Sequence, residues 1–109
     1  MVQYSRTLDS AFAAVADPTR RAILERLGLS DASISQLAES FDMTLTGIKK
    51  HVAVLEDARL VTTRKEGRVR SCRIGPRRLD HEVAWLERFQ QLMDSRFNRL
   101  DDLLQRTRD

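Results

Sequence analysis

Thr44, Thr46, Gly47, Lys49 and Lys50 crowd the start of one stretch, MTLTGIKKHVAVLEDARLV, running from residue 43 to residue 61. Thr44 has the side-chain oxygen that caps a helix start. On a 100° wheel Leu45, Ile48, Val52 and Leu55 fall on one side. Thr46, Lys50 and Ala53 lie roughly opposite, flanked by Gly47 and Lys49. A helix end that presents small, polar and basic groups suits a partner that is negatively charged and grooved. A second basic cluster follows at once, with Arg64, Lys65, Arg68, Arg70 and Arg73 in LVTTRKEGRVRSCRI.

Charge distribution says more than net charge. The chain of 109 residues carries +3, but residues 44–78 hold 10 Lys/Arg against 3 Asp/Glu, which is +7, while each flank carries −2. Such a field draws a polyanion to one part of the surface. The plainer alternative is a solvated charged face. Catalysis has nothing to build on: no nucleophile–base pair, Gly-rich phosphate loop or paired carboxylates in a cleft-forming context is present. No cofactor and no metal are expected, since zinc needs three or four ligands within reach. Asp80, His81 and Glu82 are consecutive on a helix and point in different directions. His51 borders the apolar side of its helix and reads as a structural or phosphate hydrogen bond. Cys72, the single cysteine, reads as a small strand residue; the alternative is a redox switch, which nearby arginines would favour by lowering the thiol pKa. Arg20 and Arg21 read as surface charges, with Arg20 placed to touch a phosphate at the domain edge.

These residues need elements to position them. Leu8, Phe12 and Val15 mark a short first helix. In ADPTRRAILERLG, Asp17 is an N-cap, Pro18 takes the first helical position and Gly28 closes the end, with Ile23, Leu24 and Leu27 as the buried stripe. Ser33 and Gln36 have capping-box spacing, and Ile34, Leu37, Ala38 and Phe41 give that helix its buried face. After a short Asp-Met turn, the Thr44 helix completes a helix-turn-helix. Val61, Thr62, Thr63, Val69 and Ile74 flank a Glu-Gly-Arg turn in which Gly67 takes positive φ. That basic hairpin is a wing, able to reach a phosphate or the minor groove beside the major groove. From residue 79 to about 105, Leu79, Val83, Leu86, Gln90, Met93, Phe97, Leu100 and Leu104 keep a 4,3 rhythm, widened by Trp85 and Phe89. A domain this small does not easily bury so long a helix along its whole length, whereas a partner chain could; the plainer alternative is that the helix packs back on its own core.

The order ADPTRRAILERL, SISQLAESFDMTLTGIKKHVAVLEDARLV, RKEGRVRSCRI and a long terminal helix resembles the ArsR family of bacterial winged-helix transcriptional repressors, from about Leu8 to about Leu104. The resemblance implies a homodimer built from the first and last helices. It also places the Thr44 helix in the major groove of operator DNA. Carried over to this sequence, the DNA contacts are Thr44, Thr46, Gly47, Lys49, Lys50 and His51, with Arg64, Lys65, Arg68 and Arg70 on the wing. The chain departs from the metal-sensing members. It has no Cys-x-Cys near Ser33 and no second His downstream of Asp80 and His81, and so it resembles the metal-free branch.

The expectation is thus a mainly α chain with a small β-hairpin wing. Residues 1–109 form a single winged helix-turn-helix domain ending in a dimerisation helix. The dimer interface would comprise Leu8, Phe12, Val83, Leu86, Met93, Phe97, Leu100 and Leu104. The function is that of a cytoplasmic, homodimeric, sequence-specific repressor on double-stranded DNA, without membrane association. The alternative is a winged-helix module that binds protein.

Overall fold

The computed structural model describes residues 6–107, which form two compact units dividing between Arg78 and Leu79. The first holds α1 (Arg6–Val15), α2 (Pro18–Leu29), β1 (Ala32–Ser33), α3 (Ile34–Ser40), α4 (Leu45–Asp57), β2 (Val61–Glu66) and β3 (Val69–Ile74). The second is α5 (Asp80–Thr107), a single helix of 28 residues. The mainly helical architecture with a β wing matches the sequence reading.

Helix starts follow the capping signals. The Asp17 carboxylate accepts from the Arg20 N–H at 3.0 Å, with Pro18 in the first turn. Ser33 and Gln36 form a reciprocal capping box, at 3.0 and 2.9 Å. The Thr44 hydroxyl accepts from the Gly47 N–H at 3.0 Å. Each satisfies donors that a helix start otherwise leaves unpaired.

Helix ends were less legible. α2 does not stop at Gly28; it runs on to Leu29, and Arg26 closes it by donating to the Ser30 carbonyl and hydroxyl at 3.0 Å. The ends of α3 and α4 share one device. After α3, the Asp42 and Met43 N–H groups donate to Glu39 and Ala38. After α4, those of Arg59 and Leu60 donate to Glu56 and Leu55. This is the paired bonding of a Schellman turn, and it requires a left-handed residue. That residue is Asp42 (φ 52°) in one turn and Arg59 (φ 63°) in the other, not glycine.

The core of the first unit joins Ile23 and Leu27 of α2, Ile34 and Leu37 of α3, Ile48, Val52 and Leu55 of α4, and Val61 and Cys72 of the sheet. Leu24 only packs against its edge. In α1 the fully buried positions are Ala11 and Ala14, while Leu8, Phe12 and Val15 are half-buried. Small residues face inward there because they let the helix axis come close.

The expected hairpin is part of a three-stranded antiparallel sheet, ordered β1-β3-β2. Ala32 pairs with Cys72 and Ser33 with Ser71. A two-residue strand shows no alternation to read, and Ala32 is a strand residue because it is buried against Cys72. Glu66 pairs with Val69, so the wing loop is Gly67-Arg68, with Gly67 at φ 63°.

Candidate nucleic-acid interface

α4 is the axis of the site. Ile48, Val52 and Leu55 anchor it in the core, which turns Thr46, Lys49, Lys50 and Ala53 to solvent. Leu45, expected on the buried side, is 48% exposed. It stands in the first turn, beyond the ridge that the core covers, and lines a cleft with Ser35, Lys49, Lys65, Arg68 and Arg70. That cleft, about 390 Å³, lies between the α3–α4 pair and the wing. Its walls carry four cationic side chains and no carboxylate, which makes it a receptacle for anionic groups.

Gly47 is tightly enclosed. A Cβ there would lie 3.2 Å from the Thr44 hydroxyl and 3.3 Å from the Met43 methyl. Its smallness therefore serves the helix cap as well as any approaching surface.

The wing is tied to α4 by a contact that the sequence did not show. Glu56 accepts from both the Thr63 hydroxyl (2.5 Å) and the Thr63 N–H (3.1 Å), and Arg70 donates to the same hydroxyl at 2.8 Å. One carboxylate on α4 thus orients an arginine on β3 through a threonine on β2. Only the β2–β3 register puts these three together. The available signal was Glu56, one of the two acids in the last turn of α4.

His51 is half-buried and faces α2. Its Nδ1 lies 3.3 Å from the Arg20 guanidinium and 3.9 Å from the Asp17 carboxylate. Arg20 Nε and Nη2 donate to the Ala14 and Ala13 carbonyls at 2.7 and 3.0 Å, and Arg21 donates to the Val15 carbonyl at 2.8 Å. Neither arginine is an idle surface charge: both close the C-terminus of α1, where carbonyls lack helical partners. The Arg20 N–H holds the Asp17 carboxyl below its ordinary range; the positive groups facing it act in the same direction, and burial opposes them. Arg77 performs the matching task at α4, donating to the Ala58 carbonyl at 2.7 Å and to Ser10 at 3.4 Å.

The Cys72 thiol is fully buried. This agrees with its reading as a small strand residue, and the arginines do not lower its pKa, which is raised to about 11; desolvation dominates, Glu56 adds to it, and Arg70 opposes. Among the described residues no group of three or more His, Cys, Asp or Glu side chains is placed to hold a metal ion.

The second unit carries a broad apolar face. Val83, Trp85, Leu86, Phe89, Leu92, Phe97, Leu100, Leu103 and Leu104 are all at least 42% exposed. Trp85 and Phe89 stack with centroids 5.5 Å apart. Among the described residues no helix is long and apolar enough to cross a membrane.

Comparison with known proteins agrees with this geometry. A helix-turn-helix domain model matches residues 15–64, from the end of α1 into β2. The chain is 36% identical over 98 residues to the HTH-type transcriptional regulator Rv2034 of Mycobacterium tuberculosis, covering 83% of this chain and 92% of that one. It is 27% identical to the transcriptional repressor SdpR of Bacillus subtilis, over 75% of this chain and 91% of that one. Among solved structures, the ArsR family transcriptional regulator RHA00566 superposes with a TM-score of 0.74 at 45% identity, covering 87% of this chain and 98% of that one.

Proposed function

The chain belongs to the ArsR family of winged helix-turn-helix transcriptional regulators, and from that premise we propose that it is a cytoplasmic repressor that binds an inverted-repeat operator as a homodimer. DNA binding and transcription regulation come with the family. The dimer, the operator symmetry and the contacting residues are our reading.

One observation carries it: the cationic cleft between α4 and the wing, with Lys49, Lys65, Arg68 and Arg70 around it and Thr46, Gly47 and Lys50 on the same helix. α4 enters the major groove, where Lys50 reads a base edge, and the wing cations neutralise phosphates. Thr44 contributes as the cap that fixes the helix end. His51 acts from the rear of α4, holding it against Arg20 at the α1–α2 junction. Leu8 and Phe12 of α1 join Val83, Leu86, Met93, Phe97, Leu100 and Leu104 of α5 in the dimer interface. Residues 1–109 act as one DNA-binding domain with α5 as its dimerisation arm. In the alternative reading, a winged helix that binds only protein, the four cations around this cleft would be incidental.

Selection of bound duplexes from a random pool tests this. The parent protein should enrich an inverted repeat whose half-site centres lie about one helical turn apart, roughly 34–36 Å. Lys50→Ala should enrich a different base at one position per half-site, since a well-made base contact discriminates by about 1–3 kcal/mol. A pool that stays random, or a Lys50→Ala selection identical to the parent's, would refute the assignment.

A further inference from the structure

Glu56 is out of place by its charge. The cleft between α4 and the wing adjoins a smaller recess of about 320 Å³, and the two share Ile34, Lys49 and Arg70 in their walls. Lys49, Ala53 and Glu56 follow one another at helical spacing, so a single face of α4 borders the recess. Among the residues lining the cleft or the recess, Glu56 is the one carboxylate. An exposed acid beside a surface that gathers a polyanion repels what that surface collects. Its presence there calls for a compensating task.

The bonds that Glu56 makes supply one. β2 is an edge strand of the sheet, and the outward N–H groups of an edge lack ladder partners. Glu56 accepts from both the N–H and the hydroxyl of Thr63. Having given its one proton to Glu56, the Thr63 hydroxyl turns its lone pairs to Arg70, whose Nη1 donates to it at 2.8 Å. Strand register permits this chain. Thr63–Cys72 and Lys65–Arg70 project to the side that faces α4, whereas Arg64–Ser71 projects to the other. Arg70 is exposed and makes no second side-chain hydrogen bond among the described residues. Without an acceptor at position 56 the hydroxyl is free to rotate, and Arg70 loses its fixed partner.

We infer, resting on the DNA-binding reading above, that Glu56 is a positioning residue for DNA recognition: acting through Thr63, it holds the Arg70 guanidinium in the cleft, and this gain exceeds the repulsion that its own charge brings. Glu56 itself does not touch DNA. A guanidinium that is already ordered loses less freedom on binding than one sampling many rotamers. The same bonds keep β2 at one distance from the helix that reads the bases.

Two variants of equal charge separate the brace from the charge. Glu56→Gln keeps an oxygen that accepts from Thr63, whereas Glu56→Ala keeps none. Affinity for the duplex that the parent selects is titrated for both, alone and combined with Arg70→Ala, and for Thr63→Val, at salt low enough that Arg70→Ala still binds. Glu56→Gln should bind at least as tightly as the parent, because the repulsion is gone and the brace remains. Glu56→Ala should bind about tenfold more weakly than Glu56→Gln, since one arginine on each of two protomers must then be ordered on binding. Thr63→Val should weaken binding to a similar extent and add little to Glu56→Ala. In the Arg70→Ala background the Glu56→Gln and Glu56→Ala changes should be equivalent; a loss of fold would weaken both backgrounds alike. Equal affinity of the two single variants overturns the inference, because charge alone then matters. So does a tenfold gap that persists in the Arg70→Ala background, because Glu56 then does not act through Arg70. In either case the parent still selects its operator. Failure of the regulator reading looks different: the parent then selects no duplex at all.

Discussion

Cys72 illustrates how far a residue's chemistry depends on which side of a strand it occupies. Counted along the sequence, arginines at positions 70 and 73 surround it with positive charge, and a lowered pKa follows. In the fold it pairs with both Ala32 and Thr63 and is sealed into the core. Desolvation penalises the thiolate more than Arg70 favours it. The stability consequence has a definite sign. In the unfolded chain the thiol loses its proton near pH 9, whereas in the folded protein it does so near pH 11. Between those values the folded state binds the extra proton, so stability falls as pH rises. The stability advantage of the parent over Cys72→Ala, measured by denaturant unfolding, should therefore be constant below about pH 8 and shrink from pH 9 to pH 11. An advantage that grows over that window would show the thiolate to be stabilised in the fold. Arg20 and Arg21 teach the same lesson. Their positions near a helix start were plain, but their partners are carbonyls of the preceding helix, and only the angle between α1 and α2 reveals them.

At the scale of elements, starts were legible and ends were not, for a physical reason. A helix start is marked by a side chain that accepts a backbone bond, and Asp17, Ser33 and Thr44 all do so where expected. An end is marked by a backbone angle, which only glycine advertises. Gly28 therefore misled, while Asp42 and Arg59 went unnoticed. The same holds for Gly75: a Cβ there would lie 2.5 Å from the Arg59 carbonyl oxygen, a crowding that no local pattern records. The left-handed turn after α4 yields a stability prediction. A side chain in that region costs about 1–2 kcal/mol, and glycine gives back about 0.4–1 kcal/mol through the freer unfolded chain. Arg59→Gly should thus raise unfolding stability by roughly 0.5–1 kcal/mol, measured by urea titration. A loss of stability would mean that the arginine side chain contributes more than its backbone strain costs. The α4–wing cleft was half legible: its cations were evident from composition, but the Glu56–Thr63–Arg70 link that fixes their geometry depends on strand register.

For the whole molecule, the decisive feature is the apolar face of α5. Its 4,3 rhythm was evident in the sequence, and the helix now extends from Asp80 to Thr107. Nine large apolar side chains on it remain exposed, Phe97 by 60% and Leu104 by 58%. Full burial of one such side chain stabilises by about 1.5–3 kcal/mol. Covering the exposed half of nine on each of two copies is therefore worth on the order of 20 kcal/mol, against about 4–15 kcal/mol for association. This balance supports the proposed dimer, whose two-fold symmetry is the reason an inverted-repeat operator is expected. Phe97→Glu/Leu100→Glu places like charges face to face in that interface. The variant should sediment as a monomer at micromolar concentration and bind its operator at least a hundredfold more weakly, since the two half-sites would no longer be linked. Circular dichroism separates this from unfolding: the first unit has its own core of α2, α3, α4 and the sheet, so most helical signal from that unit should persist. A parent that sediments as a monomer, or a double-Glu variant that stays dimeric with undiminished operator affinity, would show that α5 serves another partner.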